Sequence, residues 1–213
     1  MLVVGAKGFA KEILEILLQN NELVNLVFYD DINKNSPDYL YGQFPVLKTE
    51  RAVRDYFKTV DDRFTIGIGN PQLRKKMYDK FNVLGGKYTS VISLKTDIGS
   101  YGVSIGEGCN ILSGVKISND VVIEKGTMVY YNTVITHDVK IGEFVEISPN
   151  VSLLGRAVIG SFTQVGCGAI VLPDVKIGNN VIVAAGAVVT KDIPDNVMVA
   201  GVPAIIKKNL SAT

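Results

Sequence analysis

The sequence predicts an α/β domain over residues 1–86 followed by a parallel β-helix over residues 87–213. Two observations support this division. Before residue 86, short apolar runs alternate with glycine turns and helical stripes, and after it an aliphatic residue recurs at every sixth position from Ile105 to Val189. Leu84-Gly85-Gly86-Lys87 connects the two patterns.

The small domain is expected to alternate strands and helices. Leu2 to Val4 form a first strand, which leads through a glycine turn into a helix whose apolar stripe runs from Ile13 to Leu18. A second strand covers residues 26–29, a helix residues 51–58, and a third strand residues 64–68, after which Asn70 caps a helix and Pro71 takes its first position. This order predicts a parallel sheet with its ligand site beyond the carboxyl ends of the strands.

The turn Gly5-Ala6-Lys7-Gly8 lacks the third glycine of the dinucleotide-binding fingerprint, which argues against NAD. A phosphate at the start of the first helix would still suit the exposed N–H groups there. The alternative is that these glycines only tighten the turn from strand to helix.

The repeat has two inward positions in every six residues, which no helix of 3.6 residues per turn can reproduce. A hexapeptide period is typical of a β-helix with three strands per coil, here about five coils at about 4.8 Å spacing. The sixth-residue positions are Ile105, Ile111, Ile117, Ile123, Val129, Ile135, Ile141, Ile147, Leu153, Ile159, Val165, Val171, Ile177, Val183 and Val189, and the residue four places after each is small or mid-sized.

The same period points His137, the sole histidine, outward near a corner of the prism. Residues eighteen apart occupy one column, so Asn119, His137, Gly155 and Pro173 are expected to stack on successive coils. An outward imidazole can accept a proton at neutral pH, and the adjacent Asp138 could orient it. The alternatives are an ordinary polar corner for Asp138 and a glycine required only by its backbone angles for Gly155.

The amino-acid composition of the whole chain argues against several classes of protein. Hydrophobic residues make up 47% and charged residues 20%, with a net charge of +1, which favours a globular protein and argues against nucleic-acid or membrane-surface binding. We expect no membrane insertion and no signal peptide. Cys109 is expected inside and Cys167 outside, so no disulfide is predicted and a cytoplasmic location is expected.

The repeat, with its Ile-Gly tokens at Ile141-Gly142 and Ile177-Gly178, resembles the hexapeptide-repeat acyltransferases. Three further motifs extend the resemblance to the whole chain, specifically to the sialate O-acetyltransferases and the bacillosamine-pathway N-acetyltransferases: Gly5-Ala6-Lys7-Gly8-Phe9-Ala10-Lys11-Glu12, Asp30-Asp31, and Gly67-Ile68-Gly69-Asn70-Pro71-Gln72-Leu73-Arg74. The resemblance implies a left-handed β-helix, a half-Rossmann first domain and a homotrimer.

The resemblance also implies site residues. His137 would be the general base in His137-Asp138-Val139-Lys140-Ile141-Gly142, and the Gly155 N–H would bind the thioester oxygen of acetyl-CoA. A nucleotide-linked sugar would contact Lys7, Gly8, Phe9, Asp30, Asp31, Gly69 and Asn70. Arg74 either shapes that pocket or lies on a solvated helix face. Glu146 stands where the family often has a second histidine.

Acetyl-CoA is the implied co-substrate, and no metal is expected. The residues expected along its groove are Gly155, Gly166, Gly168, Ala184, Ala185, Gly186, Gly201, Pro203, Lys207 and Lys208, the last two either at the 3′-phosphate or in a solvated tail. The resulting prediction is acetyl transfer to an amino group of a nucleotide-activated sugar for a bacterial surface glycan. Two alternatives stay open: O-acetylation of sialic acid or another sugar hydroxyl, and a non-catalytic scaffold that binds sugar or CoA.

Overall fold

A computed structural model describes residues 1–32 and 37–211. It divides the chain into two compact units, residues 1–91 and 92–213. The division falls after residue 91 rather than after residue 86, because Lys87 and Tyr88 form a strand that pairs with Arg63 and Phe64 in the sheet of the first unit. No helix among the described residues is long and apolar enough to cross a membrane.

The first unit is a six-stranded sheet with three helices. Its strands are β1 (Leu2–Val4), β2 (Val27–Tyr29), β3 (Tyr39–Leu40), β4 (Phe44–Leu47), β5 (Arg63–Ile66) and β6 (Lys87–Tyr88), in the spatial order β3-β4-β2-β1-β5-β6. The helices are α1 (Gly8–Gln19), α2 (Glu50–Thr59) and α3 (Pro71–Val83). All pairs are parallel except β3 with β4. The chain reverses its direction of winding at β1 and β5, where a parallel sheet opens a crevice.

The helices begin and end close to where the sequence indicates. Asn70 caps α3, its Oδ1 accepting the Leu73 N–H at 2.9 Å, and Pro71 follows as the first residue, so this expectation is confirmed. Thr49 caps α2 in the same way, at 3.2 Å from the Ala52 nitrogen. Leu18 differs from the expected stripe of α1, because its side chain is half exposed while Ile13 is fully buried.

The second unit is a β-helix of three parallel sheets. Strands of two residues follow one another around the prism: β7 (Val91–Ile92), β8 (Asp97–Ile98), β9 (Ser104–Ile105), β10 (Asn110–Ile111), β11 (Lys116–Ile117), β12 (Val122–Ile123), β13 (Met128–Val129), β14 (Val134–Ile135), β15 (Lys140–Ile141), β16 (Glu146–Ile147), β17 (Ser152–Leu153), β18 (Val158–Ile159), β19 (Gln164–Val165), β20 (Ile170–Val171), β21 (Lys176–Ile177), β22 (Ile182–Val183) and β23 (Val188–Val189). Each strand pairs with the strand one coil away, as Val134 and Ile135 do with Ser152 and Leu153. The antiparallel pair β24 (Val197–Ala200) and β25 (Ile205–Asn209) closes one sheet.

The prism core consists of the two inward positions that the sequence predicts. Every sixth-residue position is buried except Ile105, which is half-buried in the first coil, and every position four residues later is buried. Cys109 is among these buried residues and Cys167 is exposed, and neither forms a disulfide.

The corners of the prism require left-handed backbone. One residue in most corners has a φ near +60°, a conformation that Gly, Asn and Asp adopt most readily. Three bulky side chains break this preference: Phe144, Phe162 and Arg156. The two phenylalanine rings stack at 5.8 Å, with Phe144 fully buried. Arg156 forms an exposed ion pair with Asp174 one coil later.

Candidate active site

The loops that follow β1, β2 and β5 converge on one cavity of about 290 Å³. This is the edge of the sheet where the strand order predicts a ligand. The lining residues are Val4, Gly5, Ala6, Lys7, Gly8, Phe9, Tyr29, Asp30, Asp31, Ile32, Gly67, Ile68, Gly69, Leu73 and Met77. Of the residues expected to contact a nucleotide-linked sugar, all but Asn70 lie in this lining.

The glycine turn after β1 is shaped by close backbone packing. Gly5 has a φ of +107°, and a Cβ there would lie 2.9 Å from the Gly67 carbonyl oxygen. Helix α1 then begins at Gly8, and Lys7 at its N-cap supplies no side-chain acceptor. Gly8 and Phe9 at the start of α1 line the cavity, where the positive end of the helix dipole suits an anion such as a phosphate.

Asp31 is held by two donors. Its Oδ2 accepts the Tyr29 hydroxyl at 2.8 Å and the Lys80 ammonium at 3.1 Å. Burial raises the pKa of the Asp31 carboxyl, but these two hydrogen bonds outweigh burial and the pKa is lowered. Asp31 is thus a fixed carboxylate that can only accept hydrogen bonds from a ligand. Asp30 is buried beside it and accepts the Ile32 N–H at 3.2 Å.

The segment after β5 differs in part from expectation. Gly69 lines the cavity, whereas the Asn70 amide oxygen is occupied in capping α3. Arg74 is fully buried and donates to the Gly69 carbonyl, so the alternative of a solvated helix face is wrong. Leu73 and Met77 were not foreseen as lining residues, although their spacing of four places them on one face of a helix.

In the prism, the His137 and Asp138 side chains form a hydrogen-bonded pair. His137 Nδ1 lies 2.7 Å from Asp138 Oδ2, and both side chains are about half exposed. A carboxylate accepts, so Nδ1 carries the proton and Nε2 is left as an acceptor. The outward orientation predicted from the sixfold period is confirmed.

Gly155 lies directly beneath the imidazole. A Cβ on Gly155 would lie 2.6 Å from His137 Cε1 and 2.8 Å from Nε2, and the φ of Gly155 is not in the left-handed region. The alternative that this glycine serves only its backbone angles is therefore wrong. The absence of a side chain makes room for the ring.

The Gly155 N–H has no acceptor among residues 1–32 and 37–211. At the next corner, six residues further along each coil, a side chain one coil later accepts the equivalent backbone N–H. Ser161 Oγ accepts the Glu143 N–H at 3.1 Å, and Asn179 Oδ1 accepts the Ser161 N–H at 2.8 Å. In the His137 column the residue one coil after Gly155 is Pro173, which has no side-chain acceptor. A ligand oxygen can occupy this position.

Besides Gly155, which is buried beneath His137, the residues expected along the acetyl-CoA groove fall into two groups. Gly166 is half-buried, and a Cβ there would lie 2.6 Å from the Ala185 nitrogen, so close stacking of the coils explains this glycine. The second group is half or fully exposed and consists of Gly168, Ala184, Ala185, Gly186, Gly201, Pro203, Lys207 and Lys208. Gly168 and Gly186 have positive φ and open space around the Cβ position.

Glu146 accepts a hydrogen bond from the side-chain amide of Gln164 at 2.7 Å. It lies on β16 and is half-buried. The described residues contain no group of three or more His, Cys, Asp or Glu side chains that could hold a metal ion.

Two family models match the chain. The PglD N-terminal domain matches residues 1–81, and the bacterial transferase hexapeptide, of six repeats, matches residues 156–191. A search of curated protein sequences gave no match.

Solved structures resemble the chain over nearly its whole length. The acetyltransferase domain of PglB from Neisseria gonorrhoeae is 28% identical, with 97% of this chain and 98% of that chain covered and a TM-score of 0.87. PerB from Caulobacter crescentus, in complex with CoA and GDP-perosamine, is 29% identical, with 97% and 96% covered and a TM-score of 0.86. Two perosamine N-acetyltransferase structures from the same organism have a histidine replaced by asparagine or alanine, and both contain CoA and GDP-perosamine.

WeeI from Acinetobacter baumannii is 30% identical, with 97% of this chain and 98% of that chain covered and a TM-score of 0.59. Identity at this level over the full length, together with the two family models, shows the family. The chain belongs to the hexapeptide-repeat sugar acetyltransferases with a PglD N-terminal domain.

Proposed function

We propose that this protein transfers the acetyl group of acetyl-CoA to the amino group of a nucleotide-activated sugar, with His137 as the general base. The observation that carries the proposal is the arrangement around His137, where an imidazole held by Asp138 at 2.7 Å lies over the uncapped N–H of Gly155. A base and an oxyanion donor side by side are what acyl transfer to an amine needs.

In the proposed reaction, His137 Nε2 accepts a proton from the sugar amine as the nitrogen attacks the thioester carbonyl carbon. The N–C bond forms, the C–S bond breaks, and CoA leaves as the thiol after it takes up a proton. Asp138 keeps the proton of the imidazole on Nδ1 and stabilises the imidazolium that forms. The Gly155 N–H donates to the carbonyl oxygen as negative charge develops, and such a donor contributes about 2.7–4 kcal/mol to transition-state stabilisation in other enzymes.

The acceptor sugar would be held through its nucleotide by the cavity of the first unit. The start of α1 in the cavity lining suits the diphosphate, and the fixed carboxylate of Asp31 can accept from a base N–H or a ribose hydroxyl. Support comes from PerB, which was solved with GDP-perosamine, a nucleotide sugar. The exposed small residues of the last coils and Lys207 and Lys208 would hold CoA.

The decisive experiment compares His137→Asn with wild type in an assay of thiol release from acetyl-CoA, using nucleotide-linked amino sugars and their hydroxyl counterparts. We expect kcat to fall by about 10²–10⁴-fold for the amino sugar, because the general base is lost. Binding of CoA and nucleotide, measured by calorimetry, should persist, as both ligands are present in the two histidine variants of the relative.

Lys116→Ala is the matched control, since Lys116 lies on the prism surface and pairs with Asp97 at 2.6 Å. Its kcat should equal that of wild type. Turnover by His137→Asn close to wild type would overturn the role of the base. Turnover of the hydroxyl sugars alone would replace amine transfer by O-acetylation, and binding of acetyl-CoA without any thiol release would favour a scaffold.

We also propose a cytoplasmic homotrimer that modifies precursors of a bacterial surface glycan. Support comes from the family resemblance, and both proposed substrates are cytoplasmic metabolites. Light scattering in solution gives the oligomeric state directly, and finding that the active protein is a monomer would refute the trimer.

A further inference from the structure

One corner of the prism carries four charged residues at equivalent positions in successive coils: Asp120, Asp138, Arg156 and Asp174. Their φ angles are 59°, 62°, 63° and 65°, so their side chains leave the backbone in the same way. Neighbours in this column are separated by the coil spacing of about 4.8 Å. Arg156 is the exception among aspartates, a bulky residue in a conformation that favours Gly, Asn and Asp.

Arg156 therefore has a carboxylate one coil before it and another one coil after it. It binds the later one with both ends of its guanidinium: Nε lies 2.6 Å from Asp174 Oδ1, and Nη2 lies 2.8 Å from Oδ2. The earlier one, Asp138, instead binds His137 at 2.7 Å. The Asp174 carboxylate, and to a smaller extent that of Asp138, raises the pKa of Arg156, so both act on its charge.

We propose that Asp174 is a positioning residue that holds Arg156 away from Asp138 and so leaves Asp138 free to orient His137. A bidentate bond between a guanidinium and a carboxylate is stronger than the bond from a neutral imidazole. Without Asp174, Arg156 would turn to Asp138 and displace the His137 Nδ1–H from it. The inference rests on the proposed role of the His137 and Asp138 pair.

The test is a cycle of variants. In Asp174→Asn, kcat should fall by at least about tenfold, because His137 loses the carboxylate that orients it. Arg156→Gln should keep kcat near wild type, and the double variant Asp174→Asn/Arg156→Gln should regain it. A second substitution that restores activity is the signature of competition for Asp138, because damage to the fold would add up instead.

Two control variants test whether the loss of kcat is specific to the Asp174 carboxylate. Asp174→Glu keeps the carboxylate and should keep the activity. Asp97→Asn removes another exposed pair between successive coils, the one with Lys116 at 2.6 Å, and should leave kcat unchanged.

A second readout needs no substrate. His137 is the sole histidine, so its ring nitrogens give the one imidazole signal set in a ¹⁵N NMR spectrum of the untagged protein. Wild type, Arg156→Gln and the double variant should have the proton on Nδ1, whereas Asp174→Asn should populate the Nε2–H tautomer. An unchanged tautomer in Asp174→Asn, or a double variant no more active than Asp174→Asn, would overturn the inference.

The experiments distinguish failure of the proposed general base His137 from failure of the positioning role of Asp174. If His137→Asn keeps its turnover, the proposed base is wrong, yet a changed tautomer in Asp174→Asn would still establish the competition. If His137→Asn is inactive and the cycle is additive, the positioning role of Asp174 alone is wrong.

Discussion

Gly155 shows how a single missing side chain can set the geometry of the candidate site. We predict that Gly155→Ala lowers kcat by about 10²-fold, because the added Cβ would lie 2.6 Å from His137 Cε1 and push the imidazole out of place. The measurement is kcat in the thiol-release assay with an amino-sugar substrate. The backbone at Gly155 accepts an alanine without strain, since its φ is not in the left-handed region.

The control for this prediction is the melting temperature in two backgrounds. Gly155→Ala should lower the melting temperature in the wild type but not in His137→Ala, where the ring that it contacts has been removed. Equal losses in both backgrounds would mean that Gly155 is needed for the backbone rather than for the imidazole.

At the residue scale, the sequence predicts whether a side chain points inward or outward better than it predicts which residues that side chain contacts. The sixfold period correctly turns His137 outward and places Gly155 one coil away, because both follow from counting residues. Counting cannot show that Arg74 is fully buried against the Gly69 carbonyl, which depends on how α3 packs. The sequence analysis did not predict the ion pair of Arg156 with Asp174, although the spacing of eighteen residues places the two in one column.

At the element scale, the interior of the prism contains threonines that replace missing backbone partners. Thr163 is fully buried, donates to the Gly178 carbonyl at 2.8 Å and accepts the Val181 N–H at 3.0 Å. We predict that Thr163→Val destabilises the fold by about 1–3 kcal/mol despite its more apolar side chain, because a buried donor and acceptor lose their partner. Urea unfolding followed by circular dichroism measures the change.

Thr190→Val is the matched control, since Thr190 lies exposed on the same unit. It should change the free energy of unfolding by less than about 0.5 kcal/mol. A Thr163→Val variant as stable as wild type would show that the two backbone groups find other partners.

Elements marked by a strong period or by apolar runs beside turn residues were predicted, and several elements without these signals were not. The strands from Ile105 onward follow from the repeat, but β7 and β8 precede it, because the spacing from Ile98 to Ile105 is seven residues and breaks the count. Strands β3 and β4 were also missed. β4 contains Pro45, and a proline within a run of residues weakens the sequence signal for a strand.

At the scale of the whole molecule, the two units differ in what they bury. The core of residues 92–213 is aliphatic, with uncharged polar residues such as Thr127 among its buried side chains. Among the described residues, the fully or largely buried charged side chains, Asp30 and Arg74, lie in residues 1–91. Sequence composition could not reveal this contrast, because charged residues occur in both halves and only the packing decides which are buried.

The hydrogen-bonded carboxylates of Asp61 and Asp31 predict that acid unfolds the first unit before the second. Burial raises the pKa of Asp61, but hydrogen bonds from Arg63 and from the Met1 ammonium, at 2.8 Å and 2.7 Å, outweigh it and hold the pKa well below its usual range. Asp31 is shifted in the same direction. A carboxyl whose pKa is lower in the folded state stabilises the fold above its unfolded pKa of about 4, and this stability is lost as the pH falls towards the folded pKa.

Hydrogen exchange resolved by peptide at neutral pH and at about pH 4 and below, corrected for intrinsic rates, measures the order of unfolding. Amides in residues 1–91 should lose protection first, while those in residues 92–213 keep it.

Glu12 opposes this trend, because burial raises its pKa and its protonation relieves an unpaired buried oxygen. In Asp61→Asn the first unit should be less stable at neutral pH and should depend less on pH below 4, since the neutral amide has no proton to gain. Simultaneous loss of protection in both units would mean that the ion pairs of Asp61 and Asp31 do not govern acid stability.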